Sequence, residues 1–192
     1  LDAATGPWTF AGGRLRGGTL EVRDGGALWL RGRAVLDRMK IKGVAQAGEY
    51  ETVLVTGGLD LRDGTLRLPG ARLEVQDTQT IEGGTLEMAG SASWASIFVP
   101  SGVTLTLSSS TLLRGGPGWV QGDGSVRNLG TIRADVRDQL LRLWSATLDN
   151  AGTLEARNGG TLELDGRWGG GGRLDPGTGS ITLAGTFQPS SA

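Results

Sequence analysis

The sequence contains no cysteine and no histidine. Without cysteine the chain has no disulfide framework, no thiol nucleophile and no thiolate ligand for a metal. Without histidine it has no Ser-His-Asp triad, no Cys-His pair and no imidazole ligand. These two absences exclude a large share of the known hydrolase mechanisms and most zinc sites.

The chain also lacks a surplus of charge and any long apolar run. Its 19 Lys and Arg residues are balanced by 20 Asp and Glu residues, which disfavours nucleic acid as a partner. No run of about 18 apolar residues is present, so we expect no membrane insertion. The sequence opens at Leu1 and has no signal-peptide pattern, and we therefore interpret it as a mature or excised fragment of a longer protein.

Glycine, in contrast, is abundant, with 35 residues of 192, and it recurs in a repeat. The longest similarity lies between segments 18–30 and 152–164, which align without a gap and are identical at nine positions. Neighbouring copies follow one another at a step of about 20–22 residues, which is typical of repeat architectures. The tripeptide Gly-Thr-Leu or Gly-Thr-Ile, followed by a charged residue, begins at Gly18, Gly64, Gly84, Gly130, Gly152 and Gly160.

Each copy has the pattern of a short β-strand, because apolar and charged residues alternate with a period of two. Leu154 and Ala156 alternate with Glu155 and Arg157, for example. Such short strands cannot bury their apolar face alone, and a β-sandwich gives no reason for a fixed sequence step. A coil-stacked solenoid does, because equivalent residues of successive coils lie about 4.8 Å apart. We predict an all-β, single-stranded parallel β-helix of eight or nine coils of about 20–22 residues.

The repeat pattern predicts one β-solenoid domain over residues 1–192. Two stretches break the glycine rhythm, 31–56 and 89–102, and we expect irregular loops or insertions there. Residues 188–192 are expected to form a flexible tail. No stretch with the composition of a linker divides the chain.

The Asn-x-Gly-Thr-[Leu/Ile]-x-Ala units at 128–134 and 150–156, and the Trp-led glycine-rich segments before such units, resemble the degenerate repeats of bacterial secreted and surface β-helix proteins. These are autotransporter passengers and filamentous-haemagglutinin-like exoproteins. The resemblance is clearest over residues 119–187. It implies a right-handed β-helix that is extracellular or displayed on a bacterial cell. Because these proteins share an architecture and no catalytic residues, it implies no chemistry.

Four tryptophans are the candidate ligand-binding residues. Trp94, Trp119, Trp144 and Trp168 follow one another at nearly equal intervals, each close to one coil plus a small loop. If those coils are regular, the indoles lie near one edge of the solenoid, where they would suit stacking on sugar rings or contact with a protein. The alternative is that they cap coil corners or pack beneath loops.

Asn128 and Asn150 lie one repeat apart at equivalent positions. Their side-chain amides are predicted to stack in a structural ladder at a corner of the solenoid, hydrogen-bonded along its axis.

Enzymatic β-helices exist, so carboxyl pairs require consideration. Asp60 with Asp63 and Asp135 with Asp138 are close enough in sequence to satisfy the carboxyl spacing of glycoside hydrolases. Each pair encloses an arginine, as is common in solvated strand ends, and a lyase using Lys40 or Lys42 as base is a further alternative. We assign no catalytic residue and no cofactor.

A metal site is also not expected. Calcium binding through Asp60, Asp63 or Asp123 is the one open alternative, because oxygen ligands suit this ion. Aspartates that cap turns explain the same residues.

The sequence therefore favours a structural or adhesive β-helix segment that presents a surface to a carbohydrate or a protein partner, with end-to-end or lateral self-association. The alternatives are a polysaccharide-degrading β-helix enzyme, of the tailspike-depolymerase kind, and a passive stalk.

Overall fold

The computed structural model describes residues 1–2, 4–23, 25–90 and 93–189. These residues form an all-β solenoid of stacked coils, and no helix occurs among them. Strands of successive coils pair in parallel throughout. The predicted fold class is confirmed.

The strands are short wherever a corner interrupts the chain, and longer where the pairing continues through a bend. In chain order they are β1 Pro7–Ala11, β2 Arg14–Arg16, β3 Thr19–Glu21, β4 Ala27–Arg31, β5 Ala34–Ala47, β6 Thr52–Pro69, β7 Arg72–Val75, β8 Gln79–Glu82, β9 Thr85–Ala89, β10 Ala95–Phe98, β11 Thr104–Leu107, β12 Leu112–Gly116, β13 Gly118–Asn128, β14 Thr131–Ala134, β15 Leu140–Asn150, β16 Thr153–Ala156, β17 Thr161–Gly169, β18 Arg173–Asp175, β19 Ser180–Leu183 and β20 Thr186–Gln188.

The coils have three sides, and each side is a parallel sheet that runs the length of the solenoid. The first sheet contains β1, β4, β9, β12, β14, β16 and β18 with the C-terminal parts of β5 and β6. The second contains β2, β7, β10 and β19 with the N-terminal parts of β5, β6, β13, β15 and β17. The third contains β3, β8, β11 and β20 with the remaining parts of those five strands. Within each sheet, eight successive strand pairings join the first coil to the last.

The period-two alternation of each strand becomes an inward column and an outward column. In the first sheet Leu66, Leu86, Leu113, Ile132 and Leu154 lie in one inward column, and all five are buried. A buried aliphatic side chain of this size stabilises the fold by about 1.5–3 kcal/mol. No single coil could bury these side chains, so the apolar columns couple each coil to its neighbours.

Glycine occupies corners where one coil touches the next. A Cβ atom at Gly152 would lie 2.1 Å from the carbonyl oxygen of Gly130 in the preceding coil, so no side chain fits. At the corner between β16 and β17, Asn158 and Gly159 both have positive φ, 53° and 77°. Asn and Gly are the residues that adopt this conformation most readily.

Repeat copies lie in register, although the coils are less uniform than expected. Thr65 pairs with Thr85, and Thr131 pairs with Thr153, so these Gly-Thr units stand directly above one another. Coil length nevertheless varies widely. The coil that pairs Leu28 with Ala45 is short, whereas the coil that pairs Leu86 with Leu113 is much longer.

The structure differs from the sequence prediction in the segments expected to be irregular. Most of 31–56 is strand, since β5 and the start of β6 pair in parallel with each other. Segment 89–102, of which 91–92 lie outside the described residues, contains β10, which pairs on both sides. Within 31–56, Arg33, Arg38 and Tyr50 have positive φ at positions that lack the Gly-Thr signature. In the expected tail, Gln188 ends β20, while 190–192 lie outside the described residues.

The asparagine ladder is confirmed. Nδ2 of Asn128 donates to Oδ1 of Asn150 over 2.7 Å, and both residues are buried. They continue an inward column that contains Ile81 and Leu107. Oδ1 of Asn128 accepts the backbone N–H of Gly130, so the amides also satisfy the corner backbone. The ladder therefore provides polar partners in a column that is otherwise apolar.

Replacing Asn150 with Leu should destabilise the protein by about 1–3 kcal/mol, because the buried amide of Asn128 loses its partner. Thermal or chemical unfolding followed by circular dichroism measures the effect. Asp149→Asn is a matched control, since Asp149 is the outward neighbour and pairs with the exposed Arg127 at 3.6 Å. The control should change stability by less than about 0.5 kcal/mol. Equal stability of Asn150→Leu and the wild type would contradict a stabilising ladder.

Candidate functional site

Three of the four candidate tryptophans lie on the outer side of the second sheet. Trp94 directly precedes β10, Trp119 lies in β13 and Trp144 lies in β15. Their exposed fractions are 41%, 37% and 55%. The Trp94 and Trp119 rings stack at a tilt, with centroids 4.9 Å apart. Together with Phe98 of β10, these residues form what we call the tryptophan face.

The spacing of the tryptophans explains why these indoles share a side of the sheet without forming a straight row. One coil is slightly shorter than the interval between successive tryptophans. Trp119 therefore pairs with Ser96 of the preceding coil and with Arg142 of the following coil, and with neither Trp94 nor Trp144. Each tryptophan is therefore displaced by two positions along its strand relative to the one before. Because strand side chains alternate with a period of two, such a displacement keeps the same side.

Trp168 is placed differently from the sequence expectation. It pairs with Leu148 and Phe187 in the third sheet and continues an inward column. Its indole stacks on Phe187 with centroids 4.8 Å apart, and Nε1–H donates to the carbonyl oxygen of Ala184 over 2.8 Å. The chain between Trp144 and Trp168 turns the corner into the third sheet, so Trp168 packs against the core and belongs to no outer row of indoles.

Two outward columns carry the tryptophan face. One contains Phe98, Gln121, Trp144 and Asp165 in consecutive coils. The parallel column, two positions away on each strand, contains Ser96, Trp119, Arg142 and Glu163.

Arg142 stiffens the face. Its Nε lies 2.8 Å from Oε1 of Glu163, and its Nη2 pairs with Oδ2 of Asp165. Its guanidinium carbon lies 5.6 Å from the centroid of the Trp144 ring, within cation–π range. Arg72, in the same column as Arg142, has the same relation to Phe98, with its guanidinium carbon 4.1 Å from the centroid of the Phe98 ring. Both rings are thus held by arginines and present a fixed surface.

Beside Trp144 a groove of about 340 Å³ follows the corner between the second and third sheets. Two of its lining residues, Gly122 and Gly166, lie two coils apart at equivalent corner positions where only glycine fits. A Cβ atom at Gly122 would lie 2.2 Å from the carbonyl oxygen of Val99, and one at Gly166 would lie 2.5 Å from that of Ser145. The groove is lined by Phe98, Gln121, Gly122, Asp123, Trp144, Ser145, Gly166 and Arg167.

Three polar side chains of the groove are available to a ligand. Gln121, Asp123 and Arg167 line it and make no side-chain hydrogen bond or ion pair within the described part of the chain. Asp165 is already satisfied, since it accepts from Arg142 and from the backbone N–H of Gly166. The groove thus combines an exposed indole with a free amide, a free carboxylate and a free guanidinium.

A larger groove of about 540 Å³ lies on the third sheet and contains Asp60 of the first carboxyl pair considered for catalysis. Lys40 Nζ lies 3.7 Å from Asp60 and 3.3 Å from Asp63. Arg62 adds a hydrogen bond of 2.6 Å to Asp60 and lowers the pKa of that carboxyl to about 2. A carboxyl with that pKa is ionised at neutral pH and is a weak base, so Asp60 suits neither general acid nor general base catalysis.

The second carboxyl pair does not form a shared site. Asp135 is nearly buried and contacts Nε of Arg114 at 3.2 Å. Asp138 lies at an exposed turn with φ of 58°.

Within the described ranges, no group of three or more acidic side chains comes together in a way that could hold a metal ion. Asp60 and Asp63 are instead joined through Lys40, and Asp123, the third calcium candidate, lies in the groove beside Trp144.

The sequence did not single out Phe98, Gln121, Arg142 or Arg167 as site residues. These residues lie close together because of the lengths of the coils and the positions of the corner glycines. In the coils that carry the groove, the repeat motif indicates neither the coil length nor the corner glycines. A usable signal was present in the Asp-Gly pairs at 123–124 and 165–166, which lie in the two coils that flank the coil of Trp144.

Ion pairs within a coil and between coils make stability sensitive to acid. Arg157 lies 2.8 Å from Asp175 and, by hydrogen bonding, lowers the pKa of that carboxyl to about 2, as Arg62 does for Asp60.

Because both pKa values are depressed in the folded state, protons bind the unfolded chain first as the pH falls. The stabilisation should be complete above about pH 5 and should be lost progressively between roughly pH 4 and pH 2. Asp60→Asn should lower the free energy of unfolding at pH 7 and have little effect at pH 2, as measured by urea unfolding at each pH. An equal loss at both pH values would contradict this account of Asp60.

No helix in the described ranges is long and apolar enough to cross a membrane. No family model matches the sequence, and comparison with curated proteins and with solved structures finds no significant match.

Proposed function

We propose that the protein is a rigid, non-catalytic β-solenoid whose tryptophan face and adjoining groove bind carbohydrate. The observation that carries this proposal is the position of Trp144. Its indole is 55% exposed and borders a groove lined by Gln121, Asp123 and Arg167, none of which has a side-chain partner within the described chain.

This combination of groups fits a sugar better than it fits an apolar ligand. A pyranose ring presents a patch of C–H groups on one face and hydroxyls around its rim. The C–H patch suits the flat face of an indole, which is large and carries a negative quadrupole. The planar amide, carboxylate and guanidinium groups can each bond to two neighbouring hydroxyls.

The rigidity of the face supports recognition. Phe98 lies on β10 and Trp144 on β15, each of which pairs with a strand on both sides, and Arg72 and Arg142 contact their rings. A ligand therefore binds without ordering a loop, which reduces the entropic cost of association. Eight coil-to-coil steps make a rod of about 38 Å, long enough to hold the face away from whatever carries the protein.

An adhesive role outside a bacterial cell is the setting we propose, on the strength of the resemblance of the repeats to those of secreted and surface β-helix proteins. The ion pairs at Asp60 and Asp63 favour a binding protein over a polysaccharide-degrading enzyme, because they occupy the carboxyls that hydrolysis would need. Cleavage of a polysaccharide would favour the enzyme, and the absence of any ligand would favour the passive stalk.

The test is a glycan array followed by calorimetric titration of any ligand found. Trp144→Ala should weaken binding by about tenfold or more, the effect expected from loss of one aromatic stacking contact and its buried area. Trp29→Ala is a matched control. Trp29 likewise has an arginine beside it, Arg31 at 5.7 Å, but it lies on the first sheet.

The control variant should bind as the wild type does. No glycan bound by the wild type, or equal losses in Trp144→Ala and Trp29→Ala, would overturn the proposed site. Product analysis on the same polysaccharides by chromatography should show no cleavage.

A further inference from the structure

Resting on the proposed carbohydrate-binding function, we infer that the ligand is a neutral, linear glycan that lies along the solenoid axis and occupies three consecutive coils. The inference depends on the alignment of Phe98, Gln121 and Trp144 in one outward column.

The column sets the direction and the length of the ligand. Phe98 and Trp144 are two coil steps apart, about 9.6 Å along the axis. Both line the groove, and Gln121 lies between them. One pyranose unit of an extended chain is about as long as one coil step. Three consecutive units therefore place one ring on Phe98, one opposite the amide of Gln121 and one on Trp144.

Across the strands the face offers no equivalent path. Trp119 lies in the neighbouring column, where it stacks on Trp94 and does not line the groove. Arg142, which follows Trp119 in that column, is engaged by Glu163 and Asp165. The free polar groups lie instead beside the column of Phe98 and Trp144, at the corner that holds the groove.

Charge on and around the groove favours a neutral ligand. The free carboxylate of Asp123 and the free guanidinium of Arg167 cancel. The adjoining cluster has one cation, Arg142, and two carboxylates, Glu163 and Asp165. Arg72, which lies against Phe98, is paired with Glu74 at 3.8 Å, so these two charges also cancel. The tryptophan face and its groove therefore carry one net negative charge, and a polymer with a carboxylate on every unit would be repelled.

The experiment is a calorimetric titration of the full chain with cello-, malto-, manno- and chito-oligosaccharides of one to six units, and with oligogalacturonides of the same lengths. For the neutral series that binds, affinity should rise from one unit to three, by about tenfold between two and three. Beyond three units the gain should be small. Oligogalacturonides should bind at least about tenfold more weakly than neutral chains of equal length.

Phe98→Ala distinguishes axial binding from binding at Trp144 alone. It should abolish the gain between two and three units, whereas Trp29→Ala should preserve the full length dependence. Circular dichroism and the thermal midpoint verify that each variant is folded.

The outcomes separate the inference from the function on which it rests. Equal affinity for one unit and six, or tighter binding of oligogalacturonides, would overturn the inference and leave carbohydrate binding intact. No heat of binding with any of the five series, together with a blank array, would overturn both.

Discussion

The structure depends on parallel pairing between successive coils, repeated eight times on each of three sheets. A strand of only a few residues is unstable alone and cannot bury its own apolar side. Paired in register above and below, the same strand completes its backbone hydrogen bonds and becomes part of a continuous apolar column. Each coil is thus stabilised by its two neighbours, as in other repeat architectures. The corner glycines follow from this constraint, because coils about 4.8 Å apart bring backbone against backbone.

The sequence predicted the features that follow from this local rule. Period-two alternation identified the strands, and repeat copies such as those at Gly130 and Gly152 indicated stacked coils. Asn128 and Asn150 could be predicted as partners because they precede equivalent glycines at the same corner. What the sequence could not supply was the length of each coil. The regular steps lie in the C-terminal half, and coils between Leu28 and Leu113 vary in length without changing the pairing. Because these coils vary in length, the sequence predicts loops where the structure has strands β5 and β10.

The tryptophans illustrate the same limit at the candidate site. An interval along the sequence cannot be converted to a position until coil lengths are known. An interval slightly longer than one coil left Trp119 and Trp144 on one side of a sheet, whereas a corner between Trp144 and Trp168 moved the last indole against the core. The motif also does not indicate to which sheet a strand belongs. The Gly-Thr unit at Gly152 begins a strand of the first sheet, and the one at Gly160 begins a strand of the second sheet. Composition could therefore indicate aromatic binding residues, but only the stacking showed which of them face solvent.

The chain has no histidine or cysteine for catalysis, and the carboxylates of Asp60 and Asp63 are not free to take their place. The first carboxyl pair that could have replaced them in catalysis is engaged by Arg62 and Lys40, whereas the uncommitted polar groups surround an exposed indole. The most direct test of this account is a crystal structure of the protein soaked with the tightest-binding neutral hexasaccharide. The account predicts density for consecutive sugar rings over Phe98, Gln121 and Trp144, with the glycan parallel to the solenoid axis. Sugar density on another sheet, with the tryptophan face vacant at saturating ligand, would contradict it.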